Sequence, residues 1–348
     1  MTATISNLSV IIPAHNAERT IEPCLGALLR STIRPREILV VDDASTDRTR
    51  EIAAGLGARV IEVQKNAGPG PARNLGAEEA AGNILVFVDS DIMVPERALE
   101  SIEACFRDHP EANAITGHLD GGGPVRGYFS RYKNRYMAYV FSKLPKHVEF
   151  IYTSAAAVRR EAFPGFGQER TGVEDTEMGI RLSQAGHIIL LCDGLAVTHL
   201  KEYTFWSFIK NDFNVPRQWA KIFLRNFSLG GIVKKRGFAH ARPTQIAGLC
   251  LASAAVLTGV PAAVGSFPWW VAAVLAIGAT LTHVDLLISL ARTEGPGFAL
   301  AGVVVGFIDQ LVMTLGIAYG LVCYALGIDR GEAGPIHGPT PKTMTDTL

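Results

Sequence analysis

The chain has 348 residues with 33 basic and 33 acidic side chains, and its mean hydropathy is +0.20. A net charge of zero gives no broad basic surface, so we expect no nucleic-acid partner, and any anion must be bound at a local site. The length allows one sizeable α/β domain and a smaller part, but the hydropathy is high for a purely soluble enzyme. Because the apolar excess lies after Thr244, the composition predicts a soluble front part and a membrane-embedded back part.

From Leu8 onward, short β-rich apolar runs alternate with longer stretches of helical spacing. This alternation is typical of an α/β fold with a mostly parallel sheet flanked by helices. The predicted elements are strands at residues 9–13, 37–41, 59–63 and 84–88 and helices at residues 17–31 and 46–56. Polar residues follow these strands, at the edge where open α/β sheets bind their ligands.

The triplet Asp89, Ser90 and Asp91 directly follows the fourth predicted strand. Two carboxylates at the carboxyl end of a central strand suit a hard divalent cation, Mn²⁺ or Mg²⁺, through which they approach a diphosphate. A second acidic pair, Asp42 and Asp43, ends the second strand. Such a carboxylate either accepts a nucleobase N–H or caps the next helix.

Two further segments reach the same edge. The residues that bring backbone groups and short side chains there from the first strand are Pro13, Ala14, Asn16 and Glu18. Residues 66–74 form a glycine-rich segment that opens a helix, and its backbone N–H groups and Arg73 are candidates for binding an anion. The segment lacks the Gly-Lys-Ser/Thr element of a Walker loop.

These motifs, in this order and spacing, resemble the nucleotide-binding half of family 2 inverting glycosyltransferases of the A-type fold. The motifs that carry the resemblance are residues 10–16, 41–47, 73–76 and 89–91. The resemblance covers about residues 8–200 of the chain, and the combination of motifs is far more specific than any one of them.

The resemblance implies roles at matching positions. It implies that Asp42 and Asp43 lie near the base, with Asp89 near the ribose and the metal. It also implies that Asp91 is a metal ligand and that His199, after the apolar run at residues 188–197, is the second one. Without the family, a single histidine at a strand end is more often structural.

Glu174 and Asp175 precede a predicted helix at residues 176–185. They resemble the Glu-Asp pair that provides the catalytic base of this family, and we assign the base to Asp175. Direct inversion needs a carboxylate that accepts the acceptor's hydroxyl proton while a metal stabilises the departing diphosphate. Acidic residues at a helix N-terminus are also favourable without a catalytic role, so only the complete set of residues favours catalysis.

Arg217 and Trp219 are similar to part of the Gln-x-x-Arg-Trp element of processive family members. Asn214 replaces the leading Gln and Gln218 separates the Arg from the Trp, which argues against processive synthesis. Arg217 is expected to neutralise the diphosphate, and Trp219 either stacks on a sugar or lies in the membrane interface.

The back part of the chain is expected to contact the membrane. Residues 201–243 are aromatic and basic, which favours an amphipathic interfacial helix, although a helix packed on the domain itself would show the same pattern. Spans are predicted at residues 246–264, 269–290 and 298–326, followed by a flexible tail at residues 329–348. The basic residues before the first span place that side in the cytoplasm and the tail outside; they are Lys234, Lys235, Arg236 and Arg242.

The second and third predicted spans contain four polar residues, His283, Asp285, Asp309 and Gln310. An ionised aspartate at mid-span costs about 2.5–3.5 kcal/mol, so these side chains should face one another or a polar cavity. Two roles stay open, which are the handling of a lipid headgroup and hydrogen bonding between helices.

The five cysteines are scattered, which indicates thiols in a reducing compartment, and the short polar N-terminal stretch shows no signal segment. We therefore expect an integral membrane protein whose catalytic domain, residues 1–200, is cytoplasmic. It is expected to transfer one sugar from a nucleoside-diphosphate sugar, with uridine favoured, to a membrane lipid or polyprenyl-phosphate acceptor. The alternatives are a processive polysaccharide synthase, a non-catalytic nucleotide-sugar-binding membrane protein and a nucleotidyltransferase.

Overall fold

The computed structural model of the chain describes residues 6–167, 172–226 and 243–328. The chain forms two compact units. Among the described residues, the first contains residues 6–117, 145–167 and 172–197, and the second contains His118–Leu144 and residues 198–226 and 243–328. The second unit therefore combines an internal segment of the chain with its C-terminal part.

The strands lie in one sheet. In chain order they are β1 (Leu8–Ala14), β2 (Glu37–Asp42), β3 (Arg59–Glu62), β4 (Ile84–Val88), β5 (Ile92–Met93), β6 (Ala112–Leu119), β7 (His147–Val148), β8 (Ala155–Arg159) and β9 (Ile188–His199). Their order across the sheet is β3-β2-β1-β4-β8-β6-β9-β5, and β7 pairs with β9.

The four strands predicted from the sequence form the parallel part of this sheet. β1 pairs in parallel with β2 and β4, and β2 pairs in parallel with β3. Every residue of β1 is buried, because a sheet covered on both faces needs apolar side chains on both sides of each strand. The predicted α/β class is confirmed.

The other part of the sheet is not parallel. β8 pairs antiparallel with both β4 and β6, and β7 pairs antiparallel with β9. The sheet is therefore mixed, with antiparallel strands added to the parallel part that the sequence predicts. A short apolar run carries no information about the direction of its partner strand, so this arrangement could not be read from the pattern.

The helices, in chain order, are α1 (Ile21–Leu29), α2 (Thr49–Gly55), α3 (Pro69–Glu79), α4 (Ala98–Asp108), α5 (Tyr128–Phe141), α6 (Glu174–Gln184), α7 (Phe205–Asn226), α8 (Pro243–Ala263), α9 (Trp269–Leu281), α10 (Val284–Glu294) and α11 (Pro296–Leu326). α2 begins at Thr49, whereas the sequence predicts residue 46. The reason is that Ser45 and Asp47 accept hydrogen bonds from backbone N–H groups of the β1–α1 loop instead of continuing a helix.

The core of the first unit lies between the sheet and its helices, around the buried side chains of Ile11, Val41 and Phe87. α3 lies close to β1 because Gly76 has no side chain. A Cβ atom at Gly76 would overlap Ile11 Cγ2 and lie 3.1 Å from Val41 Cγ2. This close approach brings the N-terminal end of α3 to the carboxyl edge of the sheet.

The second unit is built of helices. α7 packs along α11, where a Cβ atom at Gly316 or Gly320 would overlap the backbone carbonyls of Phe213 and Arg217. Small residues that let helix backbones approach closely are typical of helix packing in membranes. α8 and α11 are long and apolar enough to cross a membrane, and α9 with α10 passes the same criterion as a pair bent by 59°.

The structure therefore has two such helices among the described residues, or three if the bent pair is one span. The predicted second span is divided at Thr282 and His283. There the Thr282 hydroxyl donates to Ala279 O, and Gln310 Nε2 lies 2.8 Å from His283 Nδ1. The Thr282 bond stays at the end of α9, whereas the contact between His283 and Gln310 joins α10 to α11. The predicted basic cluster and the tail at residues 329–348 lie outside the described residues.

Candidate active site

The polar loops of the first unit lie at the carboxyl ends of β1, β2 and β4, which are neighbours in the sheet. The first two loops are bonded to each other. His15 Nδ1 lies 2.8 Å from Asp43 O, and Asn16 Oδ1 accepts a hydrogen bond of 2.9 Å from Thr46 N. Asn16 and Ala44 have φ angles of 51° and 58°. Alanine rarely adopts this left-handed conformation, and such strain clusters at functional sites.

Asp43 organises the glycine-rich loop before α3. Its two carboxylate oxygens accept hydrogen bonds of 2.7 Å from Ala67 N and Gly68 N. Gly68 has φ 99°, a conformation that glycine adopts without a steric penalty. The anion that these backbone N–H groups bind is therefore a carboxylate of the chain itself.

Asp42 has an oxygen with no partner. The side chain is only 1% exposed, and its Oδ2 accepts from Ser45 N at 3.2 Å and lies 3.6 Å from Arg50 Nε. Oδ1 is buried without a hydrogen bond. Because a buried acceptor without a donor is costly, the geometry leaves Oδ1 available for a donor from a ligand.

Asp89 is held by two side chains. Its Oδ1 accepts from Arg73 at 2.5 Å and its Oδ2 accepts from the Ser154 hydroxyl at 3.1 Å. Arg73 is 5% exposed, and its guanidinium group lies 5.3 Å from the centre of the Phe166 ring. A buried arginine that is paired with a carboxylate is well suited to bind a second anion beside it, because its Nε has no partner.

Asp175 belongs to the same cluster of charges. Burial raises its pKa to about 6, the Thr176 N–H and the Arg73 charge lower it, and the Glu174 and Asp89 charges raise it. Thr176 N donates to Asp175 Oδ1 at 2.6 Å. A carboxyl group with this pKa is ionised at neutral pH yet accepts a proton more readily than an ordinary aspartate, as a general base requires.

Glu174 is buried at the start of α6 and accepts a hydrogen bond of 3.0 Å from Gly172 N. The start of α3 lies beside it, since a Cβ atom at Gly70 would be 3.4 Å from Glu174 Cγ and 2.9 Å from Gly167 O. Two hydrogen bonds between Asn74 and the Phe166 backbone, of 2.7 and 2.9 Å, hold this arrangement. The segment before α6 is thus fastened to α3, which carries Arg73.

The comparison with protein families agrees with this geometry. The family model for Glycosyl transferase family 2 matches residues 9–166, which contain both acidic pairs and Arg73. The chain contains a glycosyltransferase family 2 domain. Its recognition from the sequence motifs is confirmed.

The relatives that carry this glycosyltransferase domain align with only part of the chain. Glycosyltransferase AglE of Haloferax volcanii is 33% identical over 141 residues, or 37% of this chain and 46% of its own. The 4,4'-diaponeurosporenoate glycosyltransferase of Staphylococcus haemolyticus is 40% identical over 106 residues, or 28% of each chain. Glycosyltransferase GlyA of Streptococcus pneumoniae is 35% identical over 99 residues, or 27% of this chain and 14% of its own. The chain thus spans less than half of each relative.

A solved structure matches over nearly the whole chain. The mannosyltransferase PcManGT of Pyrobaculum calidifontis, in complex with GDP-Man and Mn²⁺, has a TM-score of 0.54 and covers 94% of this chain and 90% of its own. Its sequence identity is 15%, so the match shows a common fold.

The remaining predicted site residues of the glycosyltransferase domain are distributed as follows. Pro13 and Ala14 are the buried last residues of β1 and pair with β2. Glu18 Oε2 accepts a hydrogen bond of 3.2 Å from Arg48 N and so fastens the start of α2. Ser90 and Asp91 are half-buried in the turn between β4 and β5.

Three predicted residues belong to the second unit. His199 is the last residue of β9. Arg217 and Trp219 lie on α7, where the Arg217 guanidinium group is 5.3 Å from the centre of the Tyr319 ring of α11 and Trp219 is buried. Their roles toward the diphosphate and the acceptor stay predictions.

Two residues of the cluster escaped the sequence reasoning. Ser154 precedes β8 in an unremarkable stretch of small residues, and its contact with Asp89 depends on the antiparallel pairing of β4 and β8. Phe166 lies far from Arg73 in the chain. Neither residue has a local pattern that would reveal it, since each contact joins segments that are distant in the chain.

The donor set fits a divalent metal that also binds a substrate. Among the described residues no group of three or more His, Cys, Asp or Glu side chains is arranged to hold a metal by itself. Mg²⁺ and similar ions are usually bound by one or two carboxylates together with substrate phosphates and water. The Asp89–Asp91 triplet supplies such carboxylates. Arg73 and Ser154 already engage Asp89, and the role of Asp91 as a metal ligand stays a prediction.

Proposed function

We propose that the protein transfers a single sugar, with inversion, from a nucleoside-diphosphate sugar to a membrane lipid or polyprenyl-phosphate acceptor. The observation that carries the proposal is the cluster of Asp175, Arg73 and Asp89, in which a carboxyl group with a pKa of about 6 lies within the field of an arginine and a second carboxylate. This cluster combines a general base with a cation that attracts a diphosphate.

The nucleotide is proposed to bind at the ends of β1 and β2. The unpartnered Asp42 Oδ1 accepts an N–H of the base, and Asp43 keeps the loop before α3 in place. Asp89 and Ser90 face the ribose. A carboxylate accepts an imide N–H of uracil or the N–H groups of guanine, and uridine diphosphate remains the favoured donor.

The diphosphate is proposed to bind with a divalent metal, Mn²⁺ or Mg²⁺, for which Asp91 and His199 are the protein ligands and Asp89 lies nearby. When bound, the ion neutralises the charge that develops on the leaving diphosphate. The Mn²⁺ in the mannosyltransferase of the same fold supports this proposal. Arg73 contributes a fixed positive charge from the protein, and we assign Arg217 a similar role.

The transfer itself needs one proton acceptor. Asp175 accepts the proton of the acceptor hydroxyl while that oxygen attacks the anomeric carbon from the face opposite the diphosphate. The new carbon–oxygen bond forms as the bond to the diphosphate oxygen breaks, and the nucleoside diphosphate leaves with both bonding electrons. Glu174, buried beside Asp175, keeps the N-terminal turn of α6 in place through Gly172.

A lipid acceptor is favoured by the second unit. Its two or three helices are long and apolar enough to span a membrane, and many large apolar side chains of α8, α9 and α11 are exposed. The similarity to a diaponeurosporenoate glycosyltransferase supports a lipid-like acceptor. We further propose that α7 lies at the membrane interface and that the glycosyltransferase domain faces the cytoplasm.

The test uses the full chain in lipid vesicles with Mn²⁺, a membrane lipid extract and labelled UDP-sugars and GDP-sugars. We expect label in the organic phase with the wild type and a loss of at least about a hundredfold in Asp175→Asn. Asp108→Asn is the matched control, because it makes the same change at an exposed carboxylate on α4. Label that remains in water as polymer or as free sugar would contradict the lipid acceptor, and unchanged transfer by Asp175→Asn would contradict the base.

A further inference from the structure

The internal segment His118–Leu144 holds the chain where it leaves β9. The Thr198 hydroxyl donates to Asp120 Oδ2 at 2.5 Å, and one residue later Asn134 Nδ2 donates to His199 O at 3.1 Å. Ser130 Oγ then accepts a hydrogen bond of 2.8 Å from Tyr203 N. Three side-chain hydrogen bonds thus hold residues 198–203 against the segment His118–Leu144.

These three hydrogen bonds form a clasp around residues 198–203, and Asn134 makes the central one. It is 2% exposed, and its amide also reaches Gly122 O at 3.5 Å. Ser130 is one helical turn earlier on α5 and fully buried, so both side chains project from the same face. Because Asn134 is buried, no water replaces its amide when the side chain is truncated, and the His199 carbonyl is left without this donor.

The helix that carries Asn134 is itself firmly anchored within the second unit. Lys133 forms an ion pair with Asp212 of α7. Arg135 Nε donates to Glu294 of α10 at 2.8 Å. Tyr128 OH donates to the backbone carbonyl of Phe298, at the start of α11, at 3.2 Å. The clasp around residues 198–203 is therefore attached to a rigid support.

We propose that Asn134 is a positioning residue that fixes the direction of the His199 side chain by holding its backbone carbonyl. β9 ends at His199, and a strand end frays when its backbone groups lose their partners. This inference rests on the proposed function, since it assumes that the imidazole of His199 is a ligand of the divalent metal. Partners outside the ligand set keep ligands oriented, and their loss typically weakens metal binding by about 10–100-fold.

The experiment measures Mn²⁺ binding directly, by electron paramagnetic resonance of the full chain in lipid with UDP present and again with GDP. We expect Asn134→Ala to raise the apparent Kd for Mn²⁺ about tenfold. The matched control is Asn113→Ala, because Asn113 Oδ1 accepts a hydrogen bond of 3.1 Å from Ile188 N at the opposite end of β9. This control removes one side-chain hydrogen bond to the same strand and should keep the Mn²⁺ affinity of the wild type.

Two results separate the possible failures. If His199→Ala weakens Mn²⁺ binding and Asn134→Ala does not, the positioning role is wrong while the proposed metal site stands. If His199→Ala binds Mn²⁺ as the wild type does, the metal role of His199 is wrong, and the inference fails with it. Should Asn134→Ala fail to fold, Asn134→Asp keeps the shape of the side chain and removes the hydrogen bond to the His199 carbonyl, and a Kd equal to that of the wild type would refute the positioning role.

Discussion

The pH dependence of sugar transfer should report the ionisation of Asp175. Burial raises its pKa from 3.8 to about 6, and the ionised form is the one that accepts a proton. We expect kcat/KM to be constant above about pH 7 and to fall about tenfold for each pH unit below about 6. The assay follows initial rates at saturating Mn²⁺ and constant ionic strength over this range.

Two neighbouring charges should move this midpoint in opposite directions. Arg73 favours the ionised form of Asp175 and Glu174 disfavours it. Replacing a nearby charge shifts a pKa by about one unit or more, so Arg73→Gln should raise the midpoint above 6 and Glu174→Gln should lower it. Asp108→Asn, at an exposed site on α4, should leave it unchanged.

The direction of each shift tests the reasoning more sharply than the rate does. Both variants are expected to lose activity, because both side chains lie in the cluster, but a lower rate alone does not displace a midpoint. A profile that stays flat down to about pH 5, or variants that shift in the same direction, would refute the assignment of Asp175 as the titrating base.

Three further outcomes follow from the first unit. Gly76→Ala should destabilise the fold by about 1–3 kcal/mol in urea denaturation, because the new methyl group overlaps Ile11. Gly55→Ala on α2, whose Cβ atom would meet nothing within 4 Å, should be neutral or slightly stabilising. Asp43→Ala removes two hydrogen bonds to a charged acceptor and should cost about 2–3 kcal/mol, seen as faster hydrogen exchange at the start of α3; unchanged exchange there would contradict it. Chelation of divalent metals should abolish transfer, Mn²⁺ should restore it, and full activity in chelator would exclude the metal role.

The parallel part of the sheet could be predicted because its signals are local. Each of β1 to β4 is a continuous apolar run followed at once by its polar residues, so the carboxyl edge follows from strand order alone. The positions of Asp42 and Asp89 at this edge could be predicted for the same reason. The helix α6 likewise follows from a short stretch of sequence, although it begins at Glu174 and not at residue 176 as predicted.

The other features of the fold and of the site depend on contacts between segments that are distant in the chain. Nothing near Ser154 in the sequence indicates that β8 runs antiparallel beside β4 and brings its hydroxyl to Asp89. The break at Thr282 is similar, since the apolar run through residues 269–290 looks continuous. The bend coincides with the bond between His283 and Gln310 of α11, which a hydropathy pattern does not contain. Side-chain pairing across helices is therefore the information that the sequence pattern lacks.

Three features of the first unit lower the stability of the free protein, and they support a binding and catalytic role independently of any family resemblance. Ala44 has a left-handed φ of 58°, Asp42 Oδ1 is buried without a donor, and Asp175 is a carboxyl group whose ionised form burial disfavours. Each feature lowers the stability of the free protein by about 1–3 kcal/mol, whereas the neighbouring strands follow the ordinary rules of packing. A site selected for folding alone would have an ordinary backbone at Ala44 and apolar residues in place of the two acids. A ligand that donates to Asp42 and a hydroxyl that gives its proton to Asp175 explain why all of these costs fall at one edge of the sheet.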